Sequence, residues 1–206
     1  MPDAQRPLRP SSERKRSAML DAARNRFLED GYDRTSVDAV AAQAGVSKRT
    51  LYDHFVDKDG LFSAVVERAS AALLDAVQEA VEQELRADRD LGAALLAFTR
   101  RIATQTLQSS DYAVVRLLLD SGRSIAALES DLAHGPELVL AARFADLAAA
   151  GAIRTTKPRR AAEHFTALTF LLALGTPDLD AEAVDELFVD GVEAFVRAYG
   201  PDRAGA

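Results

Sequence analysis

The sequence predicts an all-α chain of about nine helices, with a small N-terminal helix-turn-helix domain ahead of a larger helical domain. Three observations carry this expectation. Apolar residues recur at spacings of three and four along most of the chain. No segment sustains the apolar-polar alternation of a half-buried strand. The periodic stretches are also punctuated as helices are, by Ser, Thr or Asp in front and Gly behind.

Residues 1–11 hold three prolines and no apolar periodicity, and are expected to form a flexible tail. Ser12 is the expected cap of a first helix, whose stripe of Leu20, Ala23, Phe27 and Leu28 runs to a stop at Gly31. Thr35 or Ser36 caps a second, VDAVAAQA, which Gly45 ends, and Ser47 caps a third, KRTLYDHF, ending near Val56. These three fill a domain over 12–57, and the remainder, 58–206, forms the second domain. Asp57 caps a long fourth helix carrying Leu61, Phe62, Val65, Val66, Ala69, Leu73, Val77 and Val81, long enough to link two domains. Leu91, Leu95, Phe98 and Ile102 mark a fifth helix, and Tyr112, Val115, Leu118 and Leu119 a sixth that fades near Gly122. Pro136 suits the first turn of a seventh, closed by Gly151. Pro158 precedes an eighth, with Ala161, Phe165, Leu168 and Leu172 on one face, broken by Gly175 and Pro177 before a ninth from about Asp180 to Tyr199.

The last two helices are apolar over more than one face, since Leu187 and Val196 widen the stripe of the ninth and FLLAL ends the eighth. A helix apolar over two faces needs two surfaces to bury it. The expectation is a homodimer whose four-helix interface uses Phe165, Leu168, Leu172, Val184, Phe188, Val192 and Phe195. The alternative is that both helices sit deep in the core of a single chain.

Composition bounds the function. There is no cysteine, which removes disulfides, thiolate metal sites and cysteine nucleophiles and suits a reducing cytoplasm. The longest apolar runs, AALLAF and FLLAL, are far shorter than the roughly 18–20 residues that span a bilayer, and MPDAQRPLRP has no apolar core, so neither a membrane segment nor a signal peptide is expected. His54, His134 and His164 lie far apart, with no ligand at metal-binding spacing, and neither a nucleophile motif nor a glycine-rich phosphate loop is present. No enzyme, metal or cofactor is expected. The charge of −7 is uneven: residues 1–54 carry +2 and residues 55–206 carry −9. A polyanion partner would therefore meet the N-terminal segment.

Within that segment, VDAVAAQAGVSKRTL has what a helix-turn-helix requires. Ala41 is small where two helices cross, Gly45 takes the turn, Val40, Val46 and Leu51 pack one helix on the other, and Phe55 docks the end. Ser47, Lys48, Arg49, Thr50, Tyr52 and His54 are left facing outward, and they are mostly hydrogen-bond donors. Arg49 can present a fork to the N7 and O6 edge of guanine, Thr50 and Tyr52 offer hydroxyls to phosphate, and Lys48 is a point charge able to serve either. Asp53 opposes this and must face away. Lys58 at the start of the fourth helix, and Thr35 and Ser36 at the cap of the second, add donors near positive helix ends.

The stretch from about residue 14 to 66, with FLEDGY, TS, AGVSKRTLYDHF and KDGLF, resembles the DNA-binding domain of the TetR family of bacterial transcriptional regulators. The resemblance implies that Thr50, Tyr52, His54 and Lys58 hold double-stranded DNA through its phosphates while Ser47, Lys48 and Arg49 approach bases. Many relatives carry glycine where this chain has Arg49, so a base contact there would be particular to a subset. It further implies a dimer on a palindromic operator, repression as the usual outcome, and a small-molecule effector bound in 58–206, with the fourth helix as lever. Candidate pocket residues are Phe98, Ile102, Tyr112, Arg116 and Phe144, where Arg116 one turn after Tyr112 hints at an anionic or hydroxylated ligand. The alternative is a DNA-binding adaptor whose second domain receives a protein; an enclosed apolar cavity would favour the small molecule, and a filled core with an exposed apolar patch the adaptor.

Overall fold

The computed structural model describes residues 10–120, 126–176 and 179–201. The expected tail up to residue 9, the fading of the sixth helix at Gly122 and the break at Pro177 lie outside them. The described residues are helices and short connections, without strands. They fall into two compact units, Met1–Ala71 with Ser110–Ile125, and Ala72–Ser109 with Ala126–Ala206.

The first unit begins with α1, Pro10–Arg34. It starts ahead of the expected cap at Ser12, because Pro10 suits a first turn, where a missing N–H removes no helical bond. The expected stop at Gly31 is a kink: φ is +76° there, a conformation open to glycine, and the chain adds another turn to Arg34. Then come α2, Val37–Gln43, and α3, Lys48–His54. Ser36 and Ser47 cap them, accepting from the amides of Ala39 and Thr50 at 3.1 Å each. Between them the Val46 amide donates to Ala41 and the Gly45 amide to Ala42, the paired bonds of a Schellman end, with Gly45 at φ +66°. Asp57 caps α4, Lys58–Glu84, through the Gly60 amide at 2.7 Å. The unit is completed by α6, Ser110–Asp120, which packs on α1. Leu20, Phe27, Val40, Leu51, Leu61, Phe62 and Val114 form its buried interior, with Phe27 edge-on to Phe62 at 4.9 Å. This compact unit takes in α6 and the start of α4 together with residues 12–57.

The second unit holds the rest of α4, then α5, Leu91–Arg101, α7, Ala126–Ala149, α8, Pro158–Thr166, α9, Leu172–Gly175, and α10, Ala181–Tyr199. Pro136 lies inside α7 instead of opening it. Six of the nine residues in AALESDLAH, the alanines, leucines and glutamate, are strong helix formers, and proline removes only one amide bond from the ladder that they support. α5 continues through a π-turn, Ile102–Thr106, closed by the Leu107 amide on the Ile102 carbonyl at 3.0 Å. A second π-turn, Ala167–Leu171, joins α8 to α9.

That second turn decides what the eighth helix buries. A π-turn inserts one residue, so the apolar stripe rotates past it. Phe165 is fully buried ahead of the turn, while Leu171 at its end and Leu172 and Leu174 beyond it are 60, 49 and 45% exposed. The aromatic residues ahead of it meet those of α5, α7 and α10: Phe165 stands edge-on to Phe195 at 5.3 Å and to Phe144 at 5.9 Å, with Phe98 at 6.1 Å. Phe165, Phe188, Val192 and Phe195, expected at a dimer interface, are core residues at most 4% exposed. Their wide stripe is covered by this chain's own aromatic cluster. Of the expected interface residues only Leu172 is exposed, and Leu168 and Val184 are half-buried.

Candidate nucleic-acid interface

Two seven-residue helices are too short to be stable alone. They are held by their serine caps, by the Gly45 turn and by complete burial of Val40 and Leu51. Phe55, 5% exposed, ends α3 by donating its amide to Leu51 at 2.9 Å, and the Arg16 guanidinium covers its ring at 5.4 Å. With Leu51 and Phe55 fixed inward, Lys48, Arg49, Tyr52 and Asp53 are exposed and Thr50 and His54 half-buried. Asp53 is among the exposed residues of α3.

The donors on this surface differ in freedom. Arg49 has no hydrogen-bond or ion-pair partner among the described residues, and Tyr52 is 43% exposed. Lys48, by contrast, reaches across the turn to α2, where its Nζ lies 2.9 Å from each carboxylate oxygen of Asp38. The hydrogen bond to that carboxylate, followed by its charge, raises the Lys48 pKa above the ordinary lysine value. The ammonium form is held. Ser47 and Thr50 bring their hydroxyl oxygens within 2.8 Å of each other at the start of α3.

At the start of α4, Lys58 donates to the Asp33 carbonyl at 3.1 Å and lies 4.4 Å from the centre of the Tyr32 ring. Tyr32 in turn donates to Asp59 at 2.5 Å. This lysine is steered by the kinked end of α1. Thr35 does not join the surface: it is 3% exposed, and its hydroxyl donates to the carbonyls of Arg26 and Gly31 at 3.0 and 2.7 Å. Ser36 is the residue that caps α2, which leaves Thr35 one position earlier, turned into the α1 junction. Sequence reasoning missed Asp38 and Tyr32. A signal existed for Asp38, an acid in the first turn of one helix facing a lysine in the first turn of the next.

The expected effector residues are divided between the two units. Phe98, Ile102 and Phe144 are 3, 5 and 0% exposed within the second core. Tyr112 and Arg116 lie on α6 in the first unit, where Arg116 pairs with Asp120 at 3.8 Å. The Phe98 and Phe144 rings each lie against that of Phe165, with centroids 6.1 and 5.9 Å apart, and Phe144 also lies 5.3 Å from Phe195. A groove of about 1130 Å³ does open in the second unit, bordered by Asp90, Leu96, Arg154, Val196 and Arg197 among others, and Phe98, Ile102, Tyr112, Arg116 and Phe144 do not border it. Groups of three or more potential metal ligands are absent among the described residues, and no described helix is long and apolar enough to cross a membrane.

Comparison with known proteins gives two family matches: residues 19–65 fit the description "Bacterial regulatory proteins, tetR family", and residues 93–201, more than half the chain, fit "AefR-like transcriptional repressor, C-terminal domain". Among curated relatives, the HTH-type transcriptional activator FasR of Mycolicibacterium smegmatis is 38% identical over 89 residues, which is 43% of this chain and 40% of FasR. The chain thus spans well under two thirds of that relative. A TetR-family transcriptional regulator from Mesorhizobium loti superposes with a TM-score of 0.79 at 26% identity, covering 93% of this chain and all of the other. The flavonoid-responsive regulator FrrA superposes at 0.67 with 28% identity and the same coverage.

Proposed function

The chain belongs to the TetR family of bacterial transcriptional regulators, and on that premise we propose that it is a cytoplasmic repressor that binds a palindromic operator as a homodimer and is released by a small-molecule effector. The observation that carries the reading is the donor surface of α3, in which an unpartnered Arg49 stands beside Tyr52 on a helix fixed from behind by Leu51 and Phe55. Arg49 and Ser47 face base edges, Lys48 stays paired with Asp38 on α2, and Thr50, Tyr52, His54, Lys58 and Ser36 hold phosphates. Two copies on half-sites roughly 34–36 Å apart supply the sequence length that one short helix lacks. Repression is supported by the repressor description matched over residues 93–201, and a small-molecule input by the flavonoid response in FrrA's name. The 1130 Å³ groove is the effector site favoured here over the core around Phe98 and Phe144.

A second reading keeps the DNA contact but gives the second unit a protein partner. The filled aromatic core and the exposed Leu171, Leu172 and Leu174 favour it. Selecting bound duplexes from a random pool, then repeating with metabolite mixtures, tests both. A recovered palindrome released by a metabolite is the expected result; a palindrome that no metabolite releases favours the protein partner, and an unselective pool defeats the DNA reading.

A further inference from the structure

We propose that Asp38 sets the sequence-independent part of this chain's affinity for DNA by acting through Lys48: holding the ammonium on α2 keeps an indiscriminate cation off the duplex and leaves the Arg49 contact as it is. The inference rests on the DNA-binding reading above and adds a residue to it. Asp38 sits in the first turn of α2, where the positive helix end favours a carboxylate. Lys48 sits in the first turn of α3, where the same dipole opposes a cation. Each is thus pushed toward the other, and both carboxylate oxygens stand 2.9 Å from Nζ across the turn. The next residue is treated differently. Arg49 has an acid one helical turn away in Asp53, yet no pairing joins them. One cation of the adjacent two is tethered and the other is free.

The two cations contribute differently on DNA. A lysine ammonium attracts the phosphates of any sequence alike, and each such contact adds to the salt-dependent, sequence-independent part of binding. A guanidinium fork matches the paired acceptors of guanine and discriminates. For Lys48 to reach a phosphate, its pair with Asp38 must break. The carboxylate therefore subtracts from attraction to every sequence and leaves the Arg49 contact alone. Because the pair is exposed, the subtraction is small, about threefold in affinity for each recognition helix.

The test compares the wild-type chain, Asp38→Asn, Lys48→Met and the double variant across a salt series, on a duplex selected from a random pool and on an unrelated duplex of equal length. Asp38→Asn is expected to tighten binding to both duplexes alike, about threefold for each recognition helix and so about ninefold for a dimer, and to steepen the salt slope by about 0.9 per helix, about 1.8 for a dimer. Both changes should vanish in the Lys48→Met background. If they persist there, the carboxylate acts by repelling phosphate directly and the inference falls. It falls equally if Asp38→Asn, folded by circular dichroism, binds as the wild type does. Lys48→Met alone gives an independent arm: little change is expected, whereas a loss of slope near 0.9 per recognition helix, about 1.8 for a dimer, would mean that Lys48 already holds a phosphate despite Asp38. A wild-type chain that does not prefer the selected duplex defeats the DNA reading itself, a result separate from all of these.

Discussion

Lys48 and Arg49 carry the same charge on the same short helix, and what separates them is the presence of an acid within reach. The guanidinium of Arg49 has no competing acceptor among the described residues, so presenting its fork to a base displaces only water. Replacement of Arg49 by alanine is accordingly expected to cost about 1–3 kcal/mol on the preferred duplex and to relax the choice of base at one position per half-site. Comparing sequences selected from a random pool by the two proteins checks this, and an unchanged preference would remove Arg49 as a reader. The outward set from Ser47 to His54 was legible in the sequence because Leu51 and Phe55, both apolar and one turn apart, fix which side of α3 faces in. Thr35 was not, since a threonine before a cap reads alike whether its hydroxyl meets solvent or, as here, the carbonyls of Arg26 and Gly31. Nor was the tether on Lys48, which exists only because the Gly45 turn brings the first turns of two helices together.

Local chemistry fixes some elements and tertiary packing fixes others. The boundaries of α2 and α3 follow from Ser36, Ser47 and the Schellman end at Gly45, all of which are written within a few residues, so sequence spacing found them. The start of α7 and the π-turn between α8 and α9 have no such local marks. Reading Phe165, Leu168 and Leu172 as one face assumed an unbroken 3.6-residue period, and the inserted residue of the π-turn rotates Leu172 out of it. The reason α10 can lie so close to that turn is Gly191: a Cβ there would stand 2.1 Å from the Leu168 carbonyl oxygen and 2.8 Å from its carbon. Neither atom belongs to a flexible side chain, so the two helices would have to part. Gly191→Ala is therefore expected to lower stability by about 2 kcal/mol despite alanine's better helix propensity, seen as an earlier urea midpoint. A variant as stable as the wild type would show that the crossing has room to spare.

At the scale of the molecule, burial separates two kinds of apolar residue on the C-terminal helices, and each responds to substitution in its own way. Phe188 and Phe195 are 3 and 0% exposed, joined through Phe165, Phe144 and Phe170 into the second core. A charge placed there would be buried without a partner, so the expected result is loss of the fold and not release of a subunit. Leu171 ends the π-turn and Leu174 lies beyond it, 60 and 45% exposed, with Leu172 between them. They are free to take a carboxylate without disturbing the core. If two copies meet through this patch in an isologous contact, each substitution enters the interface twice and sets like charges against one another. Leu171→Glu combined with Leu174→Glu is thus expected to leave the helical circular dichroism and thermal transition nearly unchanged while sedimentation velocity shifts from dimer to monomer. Affinity for a palindromic duplex should fall with it, because a single α3 contacts only one half-site. A variant that stays dimeric would move the interface away from α9, and one that becomes monomeric yet keeps its grip on the palindrome would break the link between pairing and operator choice.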